Sequence, residues 1–272
     1  MDCYYINLAS ETEKRAQLEK NFAQHNTLNW PLHRFEALDR SYVRTHQVKG
    51  SLTDSEKGCF LSHQQVINLN THGTDHVFIM EDDIVFSGKT LSLIQRITGL
   101  EQLDWDILYT DVCVPDISFM LHLFHLKNEC VANDQLQIVD LEKHNFASAA
   151  AYIINKKSIQ KIADFLGSFD ELNVPIDIVY RSLIQAGHLK GYVAFPFLTS
   201  LSSLSEDSRV QPKQHAYTEV VWHSFRKLMW MDGSINAIDQ NLEILKKGRM
   251  SDEANALALI FSGFLSSDFI SK

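Results

Sequence analysis

"HVFIMEDDIVF", His76 to Phe86, is the stretch that decides how the chain is read. Its flanks are apolar and strand-forming, yet Glu81, Asp82 and Asp83 follow one another in its middle. Adjacent negative charges repel, and burying them unpaired is costly. Either the chain leaves the core here, or a cation is expected. "HVFIM" is apolar at every position after His76, as a central parallel strand covered on both faces should be. In open parallel sheets ligands bind beyond the carboxyl ends of the strands, the edge that receives these acids. Alternate residues of an extended chain share a side, so Glu81 and Asp83 are expected together and Asp82 opposite. Two carboxylates on one side suit a hard divalent cation, Mn²⁺ or Mg²⁺, shared with diphosphate oxygens. Such a cation neutralises charge on a leaving diphosphate. The plainer alternative is a solvated acidic turn between two strands.

Outward from this strand the pattern is strand–helix–strand, which predicts a parallel α/β unit. "CYYINL" (3–8) and "LHRFEAL" (32–38) read as strands. "SETE", Ser10 to Glu13, has the form of a capping box opening a helix to about His25. A polar loop is expected over Arg40 to Asp54, then a helix over "SEKGCFLSHQQVINLN" (55–70). "LSLIQRI", "KKSIQKIADFL" and "VPIDIVYRSLIQAG" read as helices. "WDILYTD", "SAAAYIIN" and "KGYVAFPFLTSL" read as strands, the last followed by the Ser-rich loop "SSLSEDSR" (202–209). "FMLHLFHL" (119–126) fits helix or strand. From Tyr217 the chain is helical, which predicts an appendage over 215–272 on a main domain over 1–214.

Composition narrows the class. The chain has 272 residues, 45% of them hydrophobic, as expected of a globular protein with a substantial core. Its formal net charge of -9 argues against generic nucleic-acid binding. The 4 cysteines, Cys3, Cys59, Cys113 and Cys130, are widely spaced and show no metal-binding spacing, so reduced, packed thiols are expected. The opening reads as a strand rather than a leader, and no apolar run approaches the roughly 18 residues of a membrane span. A cytoplasmic location follows as the expectation, with any membrane contact peripheral.

Six segments, in order, resemble glycosyltransferase family 25, the lipooligosaccharide β-galactosyltransferase type that includes collagen galactosyltransferases. They are "YYINLASETEKR", "RFEALD", "EKGCFLSH", "FIMEDDI", "SAAAYIIN" and "VPIDIVY", spanning about the first 210 residues. The resemblance implies a GT-A type, Rossmann-like nucleotide-sugar-binding domain with a mostly parallel central sheet. It implies metal-dependent transfer of a hexose, usually galactose, from a UDP-sugar, with inversion at the anomeric carbon. A cell-surface glycan or glycolipid such as lipooligosaccharide is the expected acceptor. The chain departs from the family at Ser148 and Ala149, where the family has Gly-Thr, and in "LTSLSSLSEDSR".

On this reading Glu81 and Asp83 are the metal candidates, and Asp82 touches ribose or donor sugar. Asp177 is the candidate general base that takes the acceptor's proton; helix capping is its alternative role. Asp170 and Glu171 are fallbacks. Asn7 stands where a nucleotide would lie, or is a turn amide. Arg15 could answer phosphate or uracil, or remain a helix-surface charge. Asp39 could bind ribose or cap a loop. Ser62 and His63 could meet the diphosphate or donor sugar, and a packed histidine is the alternative for His63. Asp111 is a weaker candidate at the metal edge. Arg226, Lys227, Lys246, Lys247 and Arg249, near Trp222 and Trp230, could rest on an anionic membrane or be ordinary solvated charges. Two other functions stay open: a sugar nucleotidyltransferase, and a non-catalytic carbohydrate-binding scaffold. The first is disfavoured because "NLASETEK" is no Gly- and basic-rich triphosphate loop.

Overall fold

The computed structural model describes residues 1–133, 135–202, 216–248 and 250–265. β1 (Asp2–Asn7), α1 (Thr12–His25) and β2 (Leu32–Glu36) form the expected parallel unit, with Cys3 opposite Leu32 and Asn7 opposite Glu36. β3 (Val77–Glu81) lies on the other edge of β1, also parallel, and places Glu81 opposite Ile6. Beyond it come β7 (Ala151–Ile154), β5 (Ile107–Tyr109), β8 (Gly191–Phe195) and β6 (Gln137–Asp140), completing a 7-stranded sheet in the order β2-β1-β3-β7-β5-β8-β6. β7 runs antiparallel to β3 and β5, and β6 antiparallel to β8; the other pairings are parallel.

Both faces of the sheet are covered, which explains the unbroken apolar run of β3. Val77 and Ile79 pack with Phe60, Val66 and Ile67 of α3 (Asp54–Leu69), and with α5 (Ile117–Asn133), α6 (Ile159–Gly167) and α7 (Ile176–Gln185). Phe78 and Met80 face the other way, onto Leu18 and Phe22 of α1 and Leu91, Ile94 and Ile97 of α4 (Thr90–Thr98). Two-residue alternation therefore sends Glu81 toward α3.

Several local expectations are corrected. The capping box at Ser10 and Glu13 does not form: α1 starts at Thr12, with Glu11 as an N-cap that makes no side-chain cap bond. The Glu11 N–H donates to the Leu8 carbonyl at 2.9 Å, so Ser10 lies inside a tight turn, one position too early to cap. A capping box forms instead at Thr53 and Glu56, opening α3. The expected loop over Arg40 to Asp54 begins with α2 (Arg40–Thr45), capped by Asp39. "FMLHLFHL" lies in helix α5. The late strand divides at Pro196, which has no N–H to give, into β8 and β9 (Thr199–Leu201). β9 pairs with β4 (Ile84–Phe86) in a separate 2-stranded sheet.

Gly58 lets α3 approach the end of β2 closely. A Cβ there would lie 2.1 Å from the Leu38 carbonyl oxygen. Ser62, fully buried one turn on, accepts from the Leu38 N–H at 2.9 Å and donates to the Gly58 carbonyl at 2.7 Å.

After residue 215 the chain forms α8 (Ala216–Met229), a 3-10 turn (Ile235–Ile238), α9 (Asp239–Lys246) and α10 (Asp252–Phe264). The end of α8 is tied to the main sheet's margin: the Phe197 N–H donates to the Met229 carbonyl at 3.1 Å. Lys127 of α5 also donates to the Leu228 carbonyl. Among the described residues no helix is long and apolar enough to cross a membrane. Residues 203–209 of the Ser-rich stretch, and Arg249, lie outside the described residues.

Candidate active site

The acids stand at the carboxyl end of β3, as the strand pattern required, but the backbone does not stay extended through them. Glu81 is the last strand residue, and Asp82 and Asp83 form a turn into β4. The simple alternation of Glu81 with Asp83 therefore fails. Glu81 and Asp83 nevertheless feel each other. Burial first, and then the Glu81 charge, push Asp83 up to about 7. Burial opposes ionisation of Glu81 too, but His63, Arg226 and Lys14 outweigh it and hold Glu81 below its ordinary value. Asp83 Oδ1 is buried and finds no hydrogen-bond partner among the described residues. A divalent cation fits this donor set. Glu81 and Asp83 supply hard carboxylate oxygen, and Asp83 offers an unsatisfied one.

Asp82 turns toward the end of β1 and the start of α1. Its Oδ2 accepts from Asn7 Nδ2 at 2.7 Å, and Lys14 Nζ stands 4.0 Å from Oδ1. Burial raises the Asp82 pKa, against the pull of Asn7 and Lys14. Asn7 is buried and fully engaged: it also donates to the Glu11 carbonyl at 3.0 Å and accepts from Arg34 Nε at 3.0 Å. It links the ends of β1, β2 and β3. Arg15, the predicted phosphate partner, is exposed and pairs with Glu19 along the helix at 3.1 Å. Lys14, four residues before buried Leu18, is the cation of α1 that faces the acids. That spacing was a usable signal, because residues four apart share a helix face.

A second arm of the site comes from β5, α7 and α8. Asp111, fully buried just past β5, accepts from Arg226 of α8 through Nη2 at 2.5 Å and Nε at 3.1 Å. Arg226 Nη2 also reaches Ser148 Oγ at 3.4 Å. Burial raises the Asp111 pKa in spite of this pairing. Arg226 was grouped in sequence with a surface basic patch; it is turned inward instead, 5% exposed, because a buried carboxylate needs its charge. Ser148 has φ 97, in the region that favours glycine, at the position where the resembled family has glycine. Asp177 Oδ2 accepts the Ser148 N–H at 3.0 Å, and Oδ1 accepts the Ile178 N–H at 2.9 Å. Ser148 Oγ accepts from the Ala150 N–H at 3.1 Å, and the Ala150 carbonyl accepts from the Glu81 N–H at 2.8 Å. An unbroken chain of contacts thus joins Asp177 to Glu81.

His63 is fully buried, with Nδ1 2.9 Å from the Tyr152 hydroxyl and Nε2 3.7 Å from Glu81 Oε1. At 3.7 Å that pair is electrostatic rather than hydrogen-bonded. Cys59, one turn earlier on α3, completes a group with His63 and Glu81 whose ligand atoms lie within 4.8 Å of one another. Residues 59 and 63 share a helix face, a spacing the reading of the cysteines passed over. Ser62 is held by Leu38 and Gly58, and Asp39 is exposed and caps α2 by accepting from the Tyr42 N–H at 2.8 Å. Neither is brought to the acids by a contact among the described residues. Asp170 and Glu171 are exposed ahead of α7.

The profile of glycosyltransferase family 25 (LPS biosynthesis protein) matches residues 1–180. The chain belongs to glycosyltransferase family 25. Its mostly parallel sheet with flanking helices is the GT-A type layout expected of this family. A curated relative, the lipooligosaccharide biosynthesis protein lic2B of Haemophilus influenzae, is 24% identical over 170 residues, 59% of this chain. The chain spans 61% of the length of that relative. Among solved structures, the galactosyltransferase LgtC with donor and acceptor sugar analogs is similar at TM-score 0.37 and 11% identity, covering 70% of this chain and 71% of the other. GlyE of Streptococcus pneumoniae is similar at TM-score 0.39 and 11% identity, covering 68% and 43%. The family-25 match ends inside α7, so Arg226 comes from a part of the chain that the profile does not cover.

Proposed function

We propose that this family-25 chain is a metal-dependent, inverting glycosyltransferase that moves a hexose, galactose foremost, from a UDP-sugar to a hydroxyl of a cell-surface glycan such as lipooligosaccharide. One observation carries this reading: the carboxyl edge of the sheet gathers Glu81, Asp82, Asp83 and Asp111, and leaves a buried oxygen of Asp83 without a partner. Arg226 answers Asp111 and Lys14 stands beside Asp82, but Glu81 and Asp83 together keep an excess of negative charge that a shared cation would offset. Glu81 and Asp83 would hold Mn²⁺ or Mg²⁺. Bound there, the cation supplies charge neutralisation at a departing diphosphate.

The chain's own residues have separable tasks in this proposal. Asp82 is held by Asn7 and stands near Lys14, so it is oriented for a ribose or donor-sugar hydroxyl. Lys14, in place of Arg15, supplies positive charge beside the diphosphate. Asn7 keeps the strand ends in register. His63 is placed beside Glu81 and orients it. Asp177 is the proposed base. Each of its oxygens accepts one backbone N–H, which leaves acceptor capacity on both. Through Ser148 it is fixed relative to Glu81, so base and donor site move together. Ser62 and Asp39 act through the α3 and α2 connections, holding the loop that borders the nucleotide side.

The helices after residue 215 are proposed as an appendage whose first member completes the site through Arg226. Peripheral contact with the cytoplasmic face of a membrane is proposed for the last. Leu259 and Ile260 of α10 are 74% and 64% exposed, with Lys246 and Lys247 nearby in sequence. The test of the reading as a whole is a donor screen. Purified protein with Mn²⁺ should release UDP from UDP-galactose faster than from UDP-glucose or UDP-N-acetylhexosamines, and faster still with a lipooligosaccharide acceptor. No UDP release from any of these donors, with or without acceptor, would contradict it.

A further inference from the structure

Cys59 and His63 lie four residues apart on α3, so their side chains emerge on one face. Glu81 is in phase with Val77 and Ile79, on the side of the sheet that α3 covers. The Cys59 Sγ, a His63 ring nitrogen and a Glu81 carboxylate oxygen lie within 4.8 Å of one another. The imidazole is already oriented. Its Nδ1 is 2.9 Å from the Tyr152 hydroxyl, which is 3.3 Å from the Tyr180 hydroxyl. If Nδ1–H donates to Tyr152, and Tyr152 to Tyr180, a cation on Nε2 takes the place of the proton that otherwise faces Glu81. This is the supporting hydrogen-bond pattern of metal-ligating histidines. That Nε2 is buried and has no hydrogen-bond partner among the described residues. Glu81, with a side chain 39% exposed, and the half-buried Cys59 leave the group open to solvent.

We propose that Cys59, His63 and Glu81 form a second cation site, one that takes a thiophilic divalent ion of the zinc type. A sulfur–nitrogen–oxygen donor set favours Zn²⁺, whereas Mn²⁺ and Mg²⁺ prefer oxygen alone. Metal–ligand bonds of about 2.0–2.3 Å need only a small contraction of this triangle. On binding, the Cys59 S–H bond breaks, its proton leaves to solvent, and a sulfur–metal bond forms. Glu81 belongs to both sites. Zinc-type occupancy would therefore withdraw it from the donor's cation and inhibit transfer. That consequence rests on the proposed function; the binding itself does not.

The test is a Co²⁺ titration of the whole chain, followed by absorbance. The expected result is a near-ultraviolet thiolate-to-cobalt band that saturates at one equivalent and is bleached by Zn²⁺. Cys59→Ser should abolish the band. Asp83→Asn, outside the group, should keep it. Tyr152→Phe should keep the band but weaken Co²⁺ binding about 10–100-fold. Should Cys59→Ser fail to fold, Glu81→Gln, at a part-exposed position, should weaken binding more than about tenfold with the thiolate band retained. The proposal is overturned by absence of the band, by its survival in Cys59→Ser, by its loss in Asp83→Asn, or by unchanged affinity in Glu81→Gln. Donor turnover with Mn²⁺ is measured separately, so failure here leaves the transferase reading standing.

Discussion

Arg226 of α8 and Asp111 at the end of β5 form a buried ion pair, Nη2 to Oδ2 at 2.5 Å, that brings the C-terminal helices into the candidate active site. A buried pair adds little over a well-packed apolar one, but breaking it strands a charge. Arg226→Met should therefore cost about 3–5 kcal/mol in urea unfolding. The double variant Arg226→Met/Asp111→Asn should lose clearly less than the sum of its single changes. Strict additivity would show that the two side chains are not coupled.

Asp83 and Asp177 should separate binding from chemistry. Asp83→Asn is expected to lose metal-dependent UDP binding. Asp177→Asn should bind UDP and Mn²⁺ as before while transfer falls by about 10²–10⁴-fold, the usual worth of a positioned base. Asp177 also holds the Ser148 N–H at 3.0 Å, so the comparison needs matched unfolding curves. Full turnover in Asp177→Asn would move the base elsewhere.

Gly58→Ala should destabilise the fold by about 1–3 kcal/mol, the cost of overpacking. Its Cβ would meet the Leu38 carbonyl oxygen at 2.1 Å, and backbone has to shift to admit it. Thermal unfolding reads this directly, and an unchanged midpoint would refute the close approach.

His76 and His223 should draw stability down in mild acid, against Asp83, whose raised pKa acts the other way over the same window. Burial, and then the Lys156 charge, push His76 down to about 4, and its Nδ1 accepts from the Lys156 N–H at 3.1 Å, a bond protonation removes. Burial likewise lowers His223 to about 4. The unfolded chain takes up these protons near pH 6.5 and the folded chain only near 4. Their contribution is whole above about pH 6.5 and is lost as pH falls toward 4. His76→Asn keeps an acceptor without the titration, so it should flatten this slope; an identical slope would exclude His76 as a source.

The strands and the acid edge were legible because they follow from local pattern: a run of buried apolar residues, then charge. What sequence did not disclose depends on tertiary partners. Nothing around Arg226 distinguishes it from Lys227; only the position of Asp111 turns it inward. Lys14 and Arg15 differ by one helical position, and burial of Leu18 decides between them. The turn at Asp82 is fixed by pairing of β4 with β9, more than a hundred residues away in sequence. Cys59 and His63 become a group only when β3 sets Glu81 beside them.

The measurement closest to the central claim is calorimetric titration of UDP into the protein with Mn²⁺ and again in excess chelator. Binding should be at least about tenfold tighter with Mn²⁺, a difference of about 1.4 kcal/mol, and Asp83→Asn should erase that difference. Equal affinity in the two conditions, or no UDP binding in either, would contradict the proposal that the acids after β3 hold a cation for a nucleotide sugar's diphosphate.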